Sequence, residues 1–429
     1  MFADTASVHK EIQTLKERIA ELEQRLEEQE QLAKRRELKA EKALEEKMEE
    51  ALEGRFGTLE IHGGAILYYQ DGRADELGGE QAGSPSGAGF AADLELTWKP
   101  ALPVVEEGEF FVRIHAANGS GADRTGGGKI KPADVLLANL NTIADDNSDE
   151  DTDTGLRLLE AHYTHPFFGE KLRITAGKAE PLGFLDDNAF ANDEGRQFIG
   201  KPFVNNSVLD SENEYTPLVG MRFAPVEMLS FSWVGASTSR PYVEGSPLAD
   251  SSKSKYDNVF STPFLGGQVR FSPKFGELEG NYRFYGWYAG YDHARLDAGR
   301  NFIAGRKDKG WGLGISADQK LTETIGLFAR LGWNNEEVYV VKWEASGGLN
   351  LKGLIPGREE DEIGIGLAAL MPDGRFRADD PEYHLEAYYR LAVSENLALT
   401  PDFQYVGNPG GDADNDPVFA TTLRAEFGF

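Results

Sequence analysis

The sequence predicts an all-β transmembrane antiparallel β-barrel of about 16 strands, preceded by a long α-helical coiled coil. Three features support this fold class: a heptad stripe near the N-terminus, a hydrophobic period of two over the rest of the chain, and connections that alternate between short turns and long polar loops. We therefore expect an N-terminal tail at 1–6, a coiled-coil helix at 7–54 and a barrel at 57–429.

The composition excludes several other kinds of protein. Of the 429 residues, 40% are hydrophobic and 27% are charged, and no apolar run is long enough for a transmembrane helix. Cysteine is absent, which excludes disulfides, thiolate metal sites and covalently attached c-type haem. Neither an apolar nor a basic segment precedes Ala3, so we expect a mature chain whose export signal has been removed.

The formal net charge of −28 argues against nucleic acid as a partner, because nucleic acid requires a basic surface. The segment 7–56 contains 11 Lys and Arg and 14 Asp and Glu, so −25 of the charge lies outside it. An acidic barrel repels anions and concentrates cations near its mouths. The acidic runs at 145–153 and 412–416 lack the spacing of a calcium-binding loop. We therefore expect no metal and no cofactor.

The predicted helix has no proline, has no glycine before Gly54, and is rich in Glu, Lys, Leu and Ala. Its apolar residues alternate spacings of four and three, which is a heptad stripe that requires a partner helix. The string RIAELE at 18–23 resembles a pattern of trimeric coiled coils, although Ile at a with Leu at d favours dimers. We expect a homotrimer, because a trimer is consistent with the barrel predicted for the rest of the chain. The residues expected to hold it together are Ile12, Leu15, Arg18, Ile19, Leu22, Glu23 and Leu26.

From Thr58 onwards, apolar and polar residues alternate, as in strands with one apolar and one polar face. Aromatic residues recur near the strand ends, as expected for girdles at two membrane interfaces. Strands are expected to start near residues 58, 88, 109, 155, 172, 217, 229, 264, 278, 310, 325, 338, 362, 383, 397 and 417. The last strand ends in a phenylalanine, which resembles the signal read by barrel-assembly machinery.

The connections between the predicted strands alternate in length. Short turns are expected at 164–171, 224–228, 272–277, 320–324 and 394–396, and long polar loops at 70–87, 118–154, 179–216, 239–262, 288–309 and 407–416. Outer-membrane barrels combine short periplasmic turns with long extracellular loops. An even number of strands places both ends of the barrel on the same side.

A longer motif lies in the third long loop. The strand end GKAEP at 177–181 is followed by DDNAFANDEGRQFIGKPFVNN at 186–206, and the chain later reads LALTPDFQYVGNPGG from Leu397. Together these segments resemble the carbohydrate-selective porins of the OprB type. The matching residues of the loop are Asp186, Asn188, Ala191, Asn192, Glu194, Gln197, Phe198, Phe203, Val204, Asn205 and Asn206.

The resemblance implies a porin in the Gram-negative outer membrane that passes neutral sugars and other small solutes by passive diffusion. The acidic barrel adds a preference for cations. The expected partners are outer-membrane lipids and lipopolysaccharide, with the helix in the periplasm, where peptidoglycan is a further contact to consider.

General porins fold the third loop inward, so this loop is a candidate constriction that Phe190 and Phe198 anchor to the wall. The constriction candidates are Asp187, Asn188, Asn192, Asp193, Glu194 and Arg196; they either meet solute or only brace the loop. Strand parity predicts the side chains that line the lumen. These lumen candidates are Arg113, His115, Glu160, His162, Arg173, Arg283, Glu386 and Arg390.

Other interpretations remain open at this point. The barrel could anchor a coiled coil that links the outer membrane to the cell wall or to a partner. It could also form the sheath of an electron conduit, with a separate cytochrome in its lumen. The sequence shows no His-x-x-x-His pair and no evident Ser/His/Asp set, so we do not expect an enzyme.

Overall fold

A computed structural model describes residues 57–83, 85–101, 107–124, 129–146, 156–209, 211, 215–238, 262–296, 302–335, 338–373 and 380–428, together with Lys39. The predicted tail at 1–6 and coiled-coil helix at 7–54 lie outside the described residues, apart from Lys39. Contacts divide the chain into two compact units, Met1–Leu59 with Lys99–Glu106 and Glu60–Trp98 with Glu107–Phe429. The second unit forms the barrel.

Sixteen long strands form one closed antiparallel sheet, because β1 pairs with both β2 and β16. The strands are β1 Thr58–Arg73, β2 Ser86–Lys99, β3 Glu109–Gly119, β4 Arg157–Phe167, β5 Leu172–Ala179, β6 Thr216–Val226, β7 Leu229–Ala236, β8 Phe264–Phe271, β9 Leu278–Leu296, β10 Phe302–Lys320, β11 Ile325–Asn334, β12 Val341–Lys352, β13 Glu362–Pro372, β14 Glu382–Ser394, β15 Leu397–Gly407 and β16 Val418–Gly428. The predicted barrel and its strand number are confirmed. The last pair between β1 and β16, Gly64 opposite Gly428, lies on the side of the short turns.

One predicted loop is wrong. The segment 288–309 is mostly strand, since β9 continues to Leu296 and β10 begins at Phe302 instead of near residue 310. The two strands remain paired beyond a bulge between Ala289 and Asp292. The bulge interrupts the alternation on which the prediction rested. The polar residues beyond it suggested a loop, but a hydrogen-bonded ladder outside the membrane does not require an apolar face.

The barrel places apolar side chains outside and polar side chains inside. On β10, Leu313 and Ile315 are exposed whereas Ser316 and Asp318 are buried. Soluble proteins show the reverse arrangement, so the outer surface is suited to lipid. No helix among the described residues is long and apolar enough to span a membrane.

Aromatic rings flank the apolar band at both ends. Near the short turns, the ring of Phe110 lies 5.4 Å from Trp98 and 4.7 Å from Tyr163. Near the long loops, Trp311 and Trp333 pack edge to face at 5.0 Å. Such rings favour the interface between hydrocarbon and headgroups, so the two clusters mark the two membrane boundaries.

We predict that Leu367→Arg lowers the free energy of unfolding in lipid by about 2–4 kcal/mol, because it places a charge near the centre of the hydrocarbon layer. Leu367 is 62% exposed in the middle of β13. Leu354→Arg is the matched control, since Leu354 is 54% exposed in the turn between β12 and β13. Denaturant unfolding in liposomes measures both variants; equal losses would contradict the assignment of the apolar band.

Candidate pore constriction

Two long loops contact the inner surface of the barrel. Loop L2 comprises residues 120–156 between β3 and β4, and loop L3 comprises residues 180–215 between β5 and β6. L3 contains a short helix at Lys201–Val204, and L2 contains one at Thr142–Asp146. Polar side chains on the inner face of the strands hold both loops, so the geometry of the constriction depends on the wall.

The central contact is an ion pair between Asp186 of L3 and Arg330 of β11, whose side chains are both 0% exposed. The Arg330 Nε atom lies 3.0 and 2.9 Å from the two carboxylate oxygens of Asp186. The same carboxylate accepts the backbone N–H of Asn206 at 2.9 Å. One carboxylate therefore joins both ends of the 186–206 segment and attaches them to the wall.

The rest of the Arg330 guanidinium satisfies backbone carbonyl groups of L3. It donates to Phe203 O at 2.8 Å, to Val204 O at 3.4 Å and to Ala191 O. Asn192 closes the same segment. In the amide orientation that satisfies both its side-chain nitrogen and its oxygen, it donates to Asp186 O at 2.8 Å and to Val204 O at 3.2 Å. A planar guanidinium with five donors suits this task, which the single ammonium of a lysine would not fulfil.

Three further charged side chains of the wall bind the backbone of L3. Glu386 of β14 accepts the N–H groups of Ile199 at 2.6 Å and Gly200 at 2.8 Å. Glu344 of β12 accepts a hydrogen bond from the backbone N–H of Ser207 at 2.6 Å. Arg424 of β16 donates to Gln197 O at 2.6 Å and to Glu194 O. L3 is thus attached from β11 to β16.

Aromatic rings of L3 occupy sockets in the wall. Phe198 and Phe203 lie 5.1 Å apart, and Phe198 packs edge to face against Tyr388 at 5.0 Å. The ring of Phe190 packs directly on Gly326, because a Cβ atom at that position would lie 2.3 Å from the ring and would exclude it. The inner wall is therefore shaped to receive L3.

L2 packs against L3 and against the wall. Thr142 N donates to Ile199 O at 2.9 Å, and Lys201 N donates to Asn139 O at 3.0 Å. Glu382 of β14 accepts Leu137 N, with both carboxylate oxygens at 3.0 Å. The two loops therefore form one layer across the lumen.

A cavity of about 280 Å³ lies between L2, L3 and β3. Its lining carries charges of both signs together with amides and a phenol. Asn192, Asp193 and Glu194 of the constriction candidates contribute to it, as does Arg113 of the lumen candidates. The complete lining is Arg113, Thr142, Glu180, Leu182, Asn192, Asp193, Glu194, Lys201, Val204, Asn205 and Tyr215.

The other three constriction candidates lie elsewhere. Asn188 is buried and donates to Ser316 Oγ and Ala317 O, each at 3.2 Å, so it braces the loop. Asp187 is half-buried and pairs with Arg270 at 3.1 Å and Arg283 at 2.7 Å. Arg196 is exposed and lies 3.7 Å from Glu362.

The eight lumen candidates occur in three groups of polar contacts. Arg113 pairs with Glu160 at 3.2 Å, His162 lies 3.6 Å from Glu160, and His115 lies 2.9 Å from Asp93. Near the short turns, Arg173 pairs with Glu109 at 2.5 Å and Arg390 with Glu426 at 2.8 Å. Arg283 and Glu386 contact L3 as described.

Several residues of this site were not among the candidates predicted from the sequence. Arg330, Glu344 and Arg424 alternate with apolar neighbours on their strands, so parity places them on the inner face, but it does not mark them as residues that bind a loop. Loop L2 gave no signal of its contact with L3. The pairing of Asp186 with Arg330 joins residues 144 positions apart, and no local pattern indicates such a contact.

A closed barrel with an apolar exterior, a polar interior and two loops across its lumen defines the class of porins. The sequence profile of the "Carbohydrate-selective porin, OprB family" matches residues 87–429, and the chain belongs to that family. It is therefore an outer-membrane porin of the Gram-negative type, through which small hydrophilic solutes diffuse passively. The family and the fold are those of channels.

Three similar proteins can be compared with it. An uncharacterised protein of Aquifex aeolicus (strain VF5) is 28% identical over 331 residues, which cover 75% of this chain and 84% of that protein. Porin B of Pseudomonas aeruginosa is 26% identical over 206 residues, which cover 37% of this chain and 44% of Porin B. The high-pH structure of Pseudomonas putida OprB has a TM-score of 0.70 at 17% identity and covers 89% of this chain and 96% of that one.

We predict that Arg330→Met detaches L3 and raises single-channel conductance, because it leaves Asp186 charged without its partner. Loss of one member of a buried ion pair costs about 3–5 kcal/mol, and release of the loop limits that loss. Arg73→Met is the control, since the Arg73 side chain is 73% exposed at the end of β1 and lies 3.8 Å from Asp75, outside L2 and L3. Conductance in planar bilayers separates the two variants; equal conductance in Arg330→Met and wild type would show that Arg330 does not hold the loop.

Proposed function

We propose that small neutral sugars and cations are the solutes that use this pore, and that the cavity between L2, L3 and β3 is the filter. The observation that carries the proposal is the mixed lining of the cavity: Arg113 and Lys201 contribute positive charge, and Glu180, Asp193 and Glu194 contribute negative charge. Sugar hydroxyl groups both donate and accept hydrogen bonds, so such a lining can replace the water that they lose.

The preference for cations rests on the charge of the whole barrel. The chain outside 7–56 carries −25, with the formal net charge of the protein at −28. Acidic clefts raise the local concentration of cations. In this proposal Asp193 and Glu194 transmit that preference to the narrow part of the path, while Arg113 and Lys201 limit its strength.

The remaining candidates receive distinct roles in the proposal. Asp187 and Asn188 brace L3, and Arg196 with Asn192 meets solute at the edges of the loop. Of the other lumen candidates, Arg283 and Glu386 hold L3. His115, Glu160, His162, Arg173 and Arg390 form the polar wall that orients water. L2 and L3 extend across the lumen in which a cytochrome would have to reside, which favours a porin over an electron-conduit sheath.

Two measurements test the filter. Liposomes that contain the protein should swell in isotonic monosaccharide, and the reversal potential across a KCl gradient in planar bilayers should show cation preference. The double variant Asp193→Asn with Glu194→Gln should shift that potential towards zero, because two carboxylates leave the cavity. Asp412→Asn with Asp414→Asn is the control, since it removes the same charge from the loop between β15 and β16.

A channel that excludes monosaccharides would contradict the proposed solute class. Anion preference in the wild type would show that the acidic charge lies outside the conduction path. An equal shift in the control variant would assign selectivity to the long-range field of the protein instead of the cavity.

We further propose that the segment 7–54 trimerises the porin through a periplasmic coiled coil. The heptad stripe supports this, and β1 begins at Thr58 on the short-turn side, which is periplasmic in outer-membrane barrels. Burial of each Ile or Leu contributes about 1.5–3 kcal/mol. The same helix, with Arg18 and Glu23 paired between chains, could act as a tether to peptidoglycan or another partner.

Light scattering in mild detergent tests the trimer. Wild-type protein should be trimeric, and Ile19→Asp with Leu22→Asp should dissociate it because charges enter the stripe. Glu21→Gln with Gln24→Glu is the control, since it alters neighbouring residues outside the stripe. Trimers that survive the Asp substitutions would assign assembly to the barrel wall, and monomeric wild type would contradict the proposal altogether.

A further inference from the structure

A second cavity, of about 170 Å³, lies in the lumen on the short-turn side of L3. We call it the basic bay and define it by Lys171, Arg173, Arg222 and Arg270, which surround it with three neutral polar residues. Register places Arg222 beside Arg173 on one side and Ser232 on the other. Basic side chains of β5, β6 and β8 therefore form a row along the bay, with two serines of β7 between those of β6 and β8. The neutral members are Ser230, Ser232 and Gln268.

The charge of the bay is not balanced by its own carboxylates. Its two acidic members, Glu170 and Asp187, are already engaged. Asp187 is shared between Arg270 and Arg283, and Glu170 lies 3.3 Å from Arg173. Within the described part of the chain, no carboxylate lies at ion-pair distance from Arg222 or Lys171. Two cationic groups thus have no ion-pair partner among the described residues, in a protein of net charge −28.

Arg222 is held in place and remains accessible. Its guanidinium donates to Gly183 O and lies 5.2 Å from the centre of the Phe184 ring. The residue is exposed, as expected for a side chain in a water-filled lumen. A guanidinium that is fixed but not covered can bind an oxyanion at little cost in side-chain entropy.

We propose that the basic bay is a binding subsite for small oxyanions, the carboxylate or phosphate group of a hydrophilic solute. Arg222 supplies a planar pair of donors, Lys171 supplies a point charge, and the hydroxyl groups of Ser230 and Ser232 complete the donor set. Asp187 is the residue of L3 that lines the bay. A solute that has passed L3 therefore meets this row before it reaches the short-turn side. The proposal rests on the proposed function, since it treats the bay as part of the path of a conducting pore.

Inorganic phosphate and gluconate are the probes for the experiment. At constant potassium concentration, either probe should reduce single-channel conductance of the wild type in a saturable manner. Arg222→Gln should weaken the apparent binding constant about tenfold, as expected for the loss of a charge-assisted hydrogen bond. Arg222→Lys should restore part of the binding, because lysine keeps the positive charge but lacks the planar pair of donors of the guanidinium. Conductance in KCl alone shows that each variant is folded.

Lys274→Gln is the matched control. Lys274 lies in the turn between β8 and β9, pairs with the exposed Glu279 at 3.3 Å and does not line the bay. The control should bind the probes like wild type. If phosphate blocks the channel and gluconate does not, the proposed subsite is supported and its ligands are phosphates, not carboxylates. Conducting channels that neither probe blocks, or an equal loss in Lys274→Gln, would overturn the inference; channels that do not conduct at all would contradict the proposed function instead.

Discussion

The closure of the sheet is the constraint on which the rest of the structure depends. In hydrocarbon, every backbone N–H and C=O group must find a partner within the protein, and a closed barrel provides one for each strand. The pairing of β1 with β16, from Gly64 opposite Gly428 to Arg73 opposite Phe419, removes the last free edge. Once the sheet is closed, alternate side chains must face lipid and lumen, which explains the apolar exterior and the buried polar interior.

A barrel with a polar inner wall would by itself enclose a wide, water-filled lumen. L3 lies across that lumen, so the width of the path depends on how strongly the wall holds L3. Asp186 and Arg330 are each costly to bury alone, and their mutual contact with the backbone of L3 offsets this cost. Because the guanidinium also binds carbonyl groups at both ends of the loop, it links the shape of L3 to the wall. These contacts attach the described part of L3 to the wall, which a filter requires.

The strands and the third loop could be predicted from the sequence because both produce local signals. Alternation placed all sixteen strand starts within three residues except that of β10, whose first residues, FIAGRKDK, do not alternate between apolar and polar and pair with β9 beyond its bulge. The contacts that fix L3 could not be predicted in this way, since Arg330 and Glu386 meet it from distant strands. Parity brings such residues to the inner face, but it does not tell which of them bind a loop and which face water.

The distribution of charge along the lumen follows from the same arrangement. The cavity between L2, L3 and β3 has three acidic and two basic side chains, whereas the basic bay has four basic and two acidic ones. Asp187 lies at the boundary and engages arginines of the wall. On the path from the long loops to the short turns, a cation therefore meets an attractive region followed by a repulsive one, and an anion meets the two regions with the opposite effects. A neutral dipolar solute can reorient and bind in both, so this order of charges slows ions more than sugars without any need to narrow the pore further.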